Sequence, residues 1–286
     1  MNQIFDTMKT NTLFIAAALT LFAASNSNAQ INLGERALGA VQKGVTGFTF
    51  SDTDAANLAK EAVAKMDKEN PVADDKDPYA IRLKKVFGKH VNENGLTLNF
   101  KVYKLKEVNA FACANGSVRV YSGLMDIMDD NELLAVIGHE IGHVANHDTR
   151  DAIKEAYKKE ALVDAVSSQS DKVATVTDSQ LGKIGNAMID SRHSRKQESE
   201  ADTYSYDFMK RNGYNVNAVE SAFNILAKLS EGKEASFIEK MLSSHPEAKA
   251  RAAEAKARAE KDGLYKPYVK QTAKPAVKKT TKKKKK

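Results

Sequence analysis

The 286 residues are 42% hydrophobic and 28% charged, with one cysteine and a formal net charge of +7. That apolar content excludes a chain disordered throughout, and a lone cysteine excludes an intramolecular disulfide framework. The length supplies one well-packed domain with appendages.

In chain order, Lys9 precedes an apolar run from Leu13 to Ala24, which is too short to span a bilayer, and Ser27 and Ala29 are small residues before Gln30. The pattern predicts a signal peptide over 1–29, cleaved near Ala29, and therefore a periplasmic protein, with a retained anchor as the alternative. No cysteine stands near that cut to accept a lipid, and no later apolar stretch is long enough to span, so no transmembrane helix is expected in the mature chain. A linker and helix fill 30–74. Residues 30–50 are Gly-rich and irregular, and Ala55, Leu58, Ala59, Ala62, Val63 and Met66 place an amphipathic helix at 52–67. A second helix is predicted from Asp77 to His90, with Pro78 in its first turn.

Leu96 to Tyr103 alternates and is rich in strand-favouring residues, as is Ser117 to Tyr121 after the turn at Ala114, Asn115 and Gly116. Together they predict a small antiparallel sheet. Phe111 is expected in the core, and Cys113 reads as a small apolar side chain in or beside a strand.

Residues 131–145, NELLAVIGHEIGHVA, carry apolar side chains at Leu133, Leu134, Val136, Ile137, Ile141, Val144 and Ala145, a helical pattern with Asn131 as its expected N-cap. Within it His139, Glu140 and His143 form HExxH. Residues four apart share a helix face, so both imidazoles reach one ion, and Glu140 stands beside the open metal position as a general base. A buried helix with two satisfied histidines is the bland alternative. Gly138 and Gly142 each cost roughly 1 kcal/mol in a helix, which suits a helix that another element approaches closely.

Catalytic zinc takes three protein ligands. A metzincin would place Gly at 146 and His at 149, but Asn146 and Thr149 stand there, and His147 lies a further turn along, as a solvated or supporting residue. Downstream, Glu198 and Asp202 are one helical turn apart in RKQESEAD. Glu198 is the better third ligand, with Asp202 accepting the ring N–H of a ligating histidine and Glu200 pointing elsewhere. By itself such a helix is also readable as a solvated face.

Between the two ligand helices, Arg150 to Asp190 predicts helices flanking a polar stretch, Ser167 to Asp171, that would gate the cleft. The last helices are expected at Val216–Leu229, Ala235–Leu242 and Glu247–Lys261. Residues 263–286 read as a disordered Lys-rich tail: from Lys266 onward it holds 10 basic and no acidic residues, and removing them takes the formal charge from +7 to −3. Weak contact with anionic envelope surfaces, or simple solvation, is expected of it, and nucleic acid is not expected as a partner.

Several separated motifs resemble one family, the HtpX-like and CAAX-prenyl-protease-like zinc metallopeptidases, with the periplasmic LoiP-like and BepA-like branch nearest. They are Val108 to Ala112 with Asn115 and Gly116, Val118 to Met125, Ala135 to Gly138 leading into HEIGH, Arg195 to Glu198 with Asp202, and Ser244-His245-Pro246 with Arg251. The resemblance covers about 75–260, and the domain is taken as 75–262. It implies a mainly helical α+β fold, a compact minigluzincin-like zincin. It implies one Zn2+ per chain on His139, His143 and Glu198, with Glu140 as general base and acid, Asp202 as a partner of a ligating histidine and Arg251 as a supporting charge. It implies for His245 either stabilisation of the oxyanion or a place on the zinc that holds the enzyme off. It also implies an outer strand, Asn109, Ala110, Phe111 and Ala112, that pairs with an extended substrate. The expected function is endopeptidase action on unfolded or misfolded envelope proteins. The alternative is a zinc-bound, largely silent chaperone-like factor in outer-membrane protein assembly.

Overall fold

The computed structural model describes residues 51–93, 95–167, 176–231 and 235–271. The expected signal peptide, the 30–50 stretch, most of the polar gate segment and the end of the tail lie outside these residues.

Helix α1, Asp52–Glu69, starts at Ser51, whose hydroxyl accepts from Asp54 N–H while the Asp54 carboxylate accepts from Ser51 N–H. Its buried face is Ala55, Leu58, Ala59, Ala62, Val63 and Met66, as the sequence periodicity predicts. Helix α2, Pro78–Phe87, is capped by Asp77 and runs into a 3-10 turn, Gly88–His90.

The expected single strand from Leu96 to Tyr103 is divided. Leu96–Thr97 (β2) pairs with Asn92–Glu93 (β1) in a separate ribbon, and only Asn99–Tyr103 (β3) joins the main sheet with Ala110–Ala112 (β4) and Ser117–Tyr121 (β5). The sheet order is β3-β5-β4, with β3 parallel to β5 and β4 antiparallel to it. This corrects the expectation that the two alternating segments pair antiparallel. The turn ahead of β5 is tight, with Gly116 N–H donating to Cys113 C=O at 2.8 Å and Gly116 at φ +79°. A turn that short joins only adjacent antiparallel strands, so β4 takes that edge of β5 and β3 is left to enter on the other side.

Central β5 is buried along its whole length, and it carries Arg119 at 2% exposure. The guanidinium is matched by Asp67 of α1, with Nε to Oδ1 at 2.8 Å and Nη2 to Oδ2 at 3.0 Å, and Tyr103 O–H donates to the same carboxylate. Burial works against the Asp67 charge, but Arg119, Lys101 and Tyr103 outweigh it and hold the pKa at about 2.

After the short α3, Ser122–Ile127, comes α4, Asp130–Ala145. Its N-cap is Asp129 rather than the expected Asn131. Asp129 accepts from Asn131 and Glu132 N–H while Glu132 reaches back to Asp129 N–H, a reciprocal cap that Asn131 has no partner three residues on to make. Next come α5, Asp148–Ser167, α6, Asp178–Asp190, α7, Arg195–Arg211, α8, Asn217–Ser230, α9, Ala235–Ser244, and α10, Ala248–Lys261. The described residues form a mainly helical α+β fold compatible with a compact zincin, and none of their helices is long and apolar enough to cross a membrane.

Helices α4 and α7 pack closely. A Cβ on Gly142 would meet Ala201 Cα at 2.9 Å, and one on Gly138 would meet the Phe208 ring at 3.0 Å. One apolar cluster gathers the sheet, α2, α4 and α7–α10, and a second joins α1, α5 and α6 to Tyr103, Phe111, Cys113 and Tyr121 on the sheet. The chain stays ordered beyond the expected tail boundary at 263. Tyr268 O–H donates to Asp129, Gln271 N–H donates to the same carboxylate, and Lys270 Nζ stands 3.4 Å from Glu132, which is fully buried. Two buried carboxylates at the start of α4 explain why basic and phenolic groups of a Lys-rich segment settle there.

Gly142→Ala is expected to lose about 1–3 kcal/mol by overpacking against α7, exceeding the helix-propensity gain of about 1 kcal/mol, as measured by urea unfolding. Because the folded Asp67 pKa lies below the unfolded value near 3.9, its contribution is present above about pH 4 and is lost as pH falls towards 2. Asp67→Asn should therefore cost on the order of 2 kcal/mol at pH 7 and much less at pH 2.5.

Candidate active site

Helix α4 puts His139 and His143 on one face, and α7 crosses it at the two glycines, bringing Glu198 opposite them. The third contribution comes from the corner between α9 and α10. Here Ser244, His245 and Pro246 end one helix, and Glu247 at φ +65° turns the chain into the next.

These elements converge closely. His139 Nε2 lies 3.0 Å from His143 Nε2 and 3.2 Å from His245 Nδ1, which is 3.0 Å from Glu198 Oε1. Glu198 Oε1 is 3.4 Å from His143 Nε2, and Oε2 is 3.6 Å from His139 Nε2. One ligand atom from each of the four residues falls within 4.8 Å of the others. Bonds of about 2.0–2.1 Å at tetrahedral angles would set donor atoms about 3.3 Å apart, so this donor set fits a small divalent cation.

The charge balance agrees. Glu140 and Glu198 face the cluster, with Asp148 and Asp202 behind it, and Arg251 is the permanent cation among them. Arg251 donates to Asp202 through Nε at 2.8 Å and Nη2 at 2.5 Å, and its Nη1 pairs with Glu198. Burial opposes the Glu198 charge, yet His143 and His245 hold its pKa far below the carboxylate range. Burial raises the Glu140 pKa. The Glu140 Oε1 atom is buried without a hydrogen-bond partner and sits 3.6 Å from His245 Nε2, an unmet polar group aimed at the cluster.

Each α4 histidine has its own carboxylate. His139 Nδ1 lies 2.8 Å from Asp202 Oδ1, where the helical spacing of α7 placed it in the sequence reading. Burial and Arg251 push the His139 pKa down to about 3. His143 Nδ1 lies 2.8 Å from Asp148, whose other oxygen accepts from Gln197. Burial lowers the His143 pKa, but Asp148 and Glu198 overcome it and raise it to about 9.

Asp148 escaped the sequence reading because α4 ends at Ala145 and His147, at φ +66°, reverses the chain, a turn that helix-face arithmetic does not contain. His147 itself is exposed and stands 3.9 Å from Asp52. His193 was also missed; it precedes α7 and stacks on His143 with ring centroids 3.8 Å apart. Its position shortly before the Glu198 helix is the only signal the sequence offered. Glu200 is exposed, away from the cluster.

Beside the cluster lies β4, an edge strand. Tyr121 N–H donates to Asn109 C=O and Cys113 N–H to Ser117 C=O, so the odd-numbered residues face β5. The outward main-chain groups are then those of Ala110 and Ala112, and Asn109 Oδ1 accepts from Ala110 N–H. Asn109 Nδ2 is buried without a partner. Phe111 packs with Tyr103 and Tyr121.

A buried His/Glu donor set centred on two crossed helices, with a carboxylate oxygen lacking a hydrogen bond beside it, is the arrangement of a metallopeptidase site. Residues 82–259 match peptidase family M48. The chain is 38% identical to the metalloprotease LoiP of Escherichia coli over 251 residues, which is 87% of this chain and 95% of that protein. It is 39% identical to the metalloprotease YcaL of the same organism, over 86% of this chain and 96% of that protein. The chain belongs to peptidase family M48 and is a metalloendopeptidase, an enzyme that uses a divalent metal and acts on protein substrates.

Arg251→Met is expected to leave Glu198 and Asp202 uncompensated and to cost about 3 kcal/mol in thermal unfolding, with Arg251→Lys recovering only part because it cannot make the bidentate contact.

Proposed function

We propose that this chain is a zinc endopeptidase of the bacterial cell envelope that cleaves unfolded or misfolded proteins. The observation that carries the reading is the convergence of His139, His143 and Glu198 around one point, beside the Glu140 carboxylate, whose Oε1 is buried without a hydrogen bond. Two imidazoles and a carboxylate make a donor set suited to zinc.

In the proposed mechanism His139, His143 and Glu198 hold the metal. Asp202 and Asp148 each accept a ring N–H, fixing the tautomer that aims Nε2 inward. The bound cation supplies a Lewis acid that polarises the scissile carbonyl and makes a water easier to deprotonate. Glu140 takes the proton from the attacking water and passes it to the leaving amide nitrogen, and its burial raises its proton affinity for that work. Arg251 holds Glu198 and Asp202 in place. The substrate pairs as an added strand along β4, with the Ala110 carbonyl and the main chain of Ala112 as partners, Asn109 Nδ2 as a further donor and Phe111 anchoring the strand. Main-chain pairing is indifferent to side chains, which suits unfolded clients. The apolar run after Lys9 and the small residues before Gln30, read as an export signal, support the envelope location, and the Lys-rich end supports weak contact with anionic surfaces.

A second reading has an observation of its own. His245 Nδ1 sits inside the donor cluster, and His139, Glu140, His143, Glu198 and His245 are all buried, so a peptide reaches them only if this corner opens. His245 as a fourth ligand describes a silent enzyme, and His245 withdrawn describes a group available to the oxyanion.

The test is cleavage of casein by the purified protein, with metal content measured alongside. Chelator-sensitive cleavage with one zinc per chain, lost at least about 100-fold in Glu140→Gln while zinc is retained, is the expected outcome. Unchanged cleavage by that variant overturns the mechanism. Zinc without cleavage, restored by His245→Ala, would establish the silent state. Asp148→Asn should weaken zinc binding about 10- to 100-fold in a chelator competition.

A further inference from the structure

Between α6 and α7 the chain runs from Ser191 to Ser194 without helix or strand. Within this linker His193 is half-buried and lays its ring on that of His143, with centroids 3.8 Å apart and planes inclined by 15°. It meets the His245 ring at 5.1 Å and 31°. His139, His143 and His245 are all buried, so His193 is the member of this group of rings with a side towards solvent.

The linker is held from both ends. Ser194 caps α7: its hydroxyl accepts from Gln197 N–H at 3.3 Å, while Gln197 Oε1 accepts from Ser194 N–H at 2.9 Å. Gln197 Nε2 in turn donates to Asp148 at 2.9 Å, and Asp148 holds His143 Nδ1. On the other side, His193 N–H donates to the Ser244 carbonyl at 3.1 Å, one residue before His245. The segment that delivers Glu198 thus reaches His143 twice, at its edge through Gln197 and Asp148 and on its face through His193.

A hydrogen bond at Nδ1 fixes one point of the His143 ring and leaves it free to rock about that point, which swings Nε2. A flat ring against its face removes that freedom. Donor atoms of His143, Asp148 and His193 also lie within 4.8 Å of one another. Rings stacked face to face cannot both aim in-plane lone pairs at one ion, so this trio is a packing contact and not a second donor set. Among the described residues the His193 ring nitrogens make no hydrogen bond, so the contact uses the flat face of the ring.

We propose that His193 is a positioning residue of the metal site, fixing the plane in which His143 presents Nε2 to the ion and closing the solvent side of that ring. The inference rests on His143 being a metal ligand, as the proposed function has it. His193 acts through His143 and not on the substrate.

The test measures metal binding separately from turnover. Zinc affinity of the full-length protein is determined by competition with a chromogenic chelator, alongside His193→Phe, His193→Leu and His193→Gln, and the visible spectrum of the cobalt-substituted protein is recorded for each. His193→Phe, which keeps a flat ring, should retain the affinity and spectrum of the unaltered protein. The Leu and Gln variants should bind zinc about 3- to 10-fold more weakly, with a changed cobalt spectrum and an unchanged thermal midpoint of the metal-free protein. Equal affinity in all four proteins, a Phe variant as weak as the other two, or a loss matched by falling metal-free stability overturns the inference. No metal bound by the unaltered protein removes the metal site and the inference with it. Casein cleavage is followed in parallel: the expected order of affinities without cleavage sinks the protease reading and leaves the role of His193 standing.

Discussion

The crossing of α4 over α7 is the constraint on which the rest of the molecule depends. With no Cβ at 138 and 142, Ala201 and the Phe208 ring come against the α4 backbone, and Ser205 O–H donates to Ala135 C=O at 2.6 Å across the contact. Only at that separation does Glu198 Oε1 reach 3.4 Å from His143 Nε2 while Asp202, one turn along, meets His139 Nδ1. One member of the His/Glu cluster and the carboxylate that meets another member are thus delivered by one helix packing. The two glycines weaken α4 as a helix, and its apolar girdle and reciprocal N-cap offset that cost.

The buried charges are arranged as a chain of compensation that runs outward from the cluster. Arg251 neutralises Glu198 and Asp202, and Gln197 supports Asp148, which in turn holds His143. At the far end of α4, Tyr268 and Lys270 answer Asp129 and Glu132, so the catalytic helix is pinned at both ends by groups from distant parts of the chain. Buried carboxylates left alone would be costly, and their partners fix geometry as well as charge.

His245 stands at the meeting of these features. It lies on a corner between two helices, with Pro246 and a left-handed Glu247 behind it and Arg195 paired to Glu247 at 2.5 Å. From there it meets His139 and Glu140 together. The M48 membership accounts for the use of a metal and for the peptidase chemistry.

The sequence by itself determined the elements whose signals are local. The period of α1, the HExxH face of α4 and the one-turn spacing of Glu198 and Asp202 follow from side-chain order on a helix, which is fixed at 3.6 residues per turn wherever the helix lies. The tertiary structure decided what depends on chain reversal and long-range pairing. β3 runs parallel to β5 because the tight turn had already committed β4, and Asp148 returns to His143 through the left-handed His147. His193 stacks on a ring fifty residues earlier in the chain, and Tyr268 and Lys270 fold back onto the cap of α4 where composition alone predicted disorder. Periodicity reports which face of an element is apolar. It carries no record of which distant partner satisfies a buried charge, because that choice is made only when the elements pack.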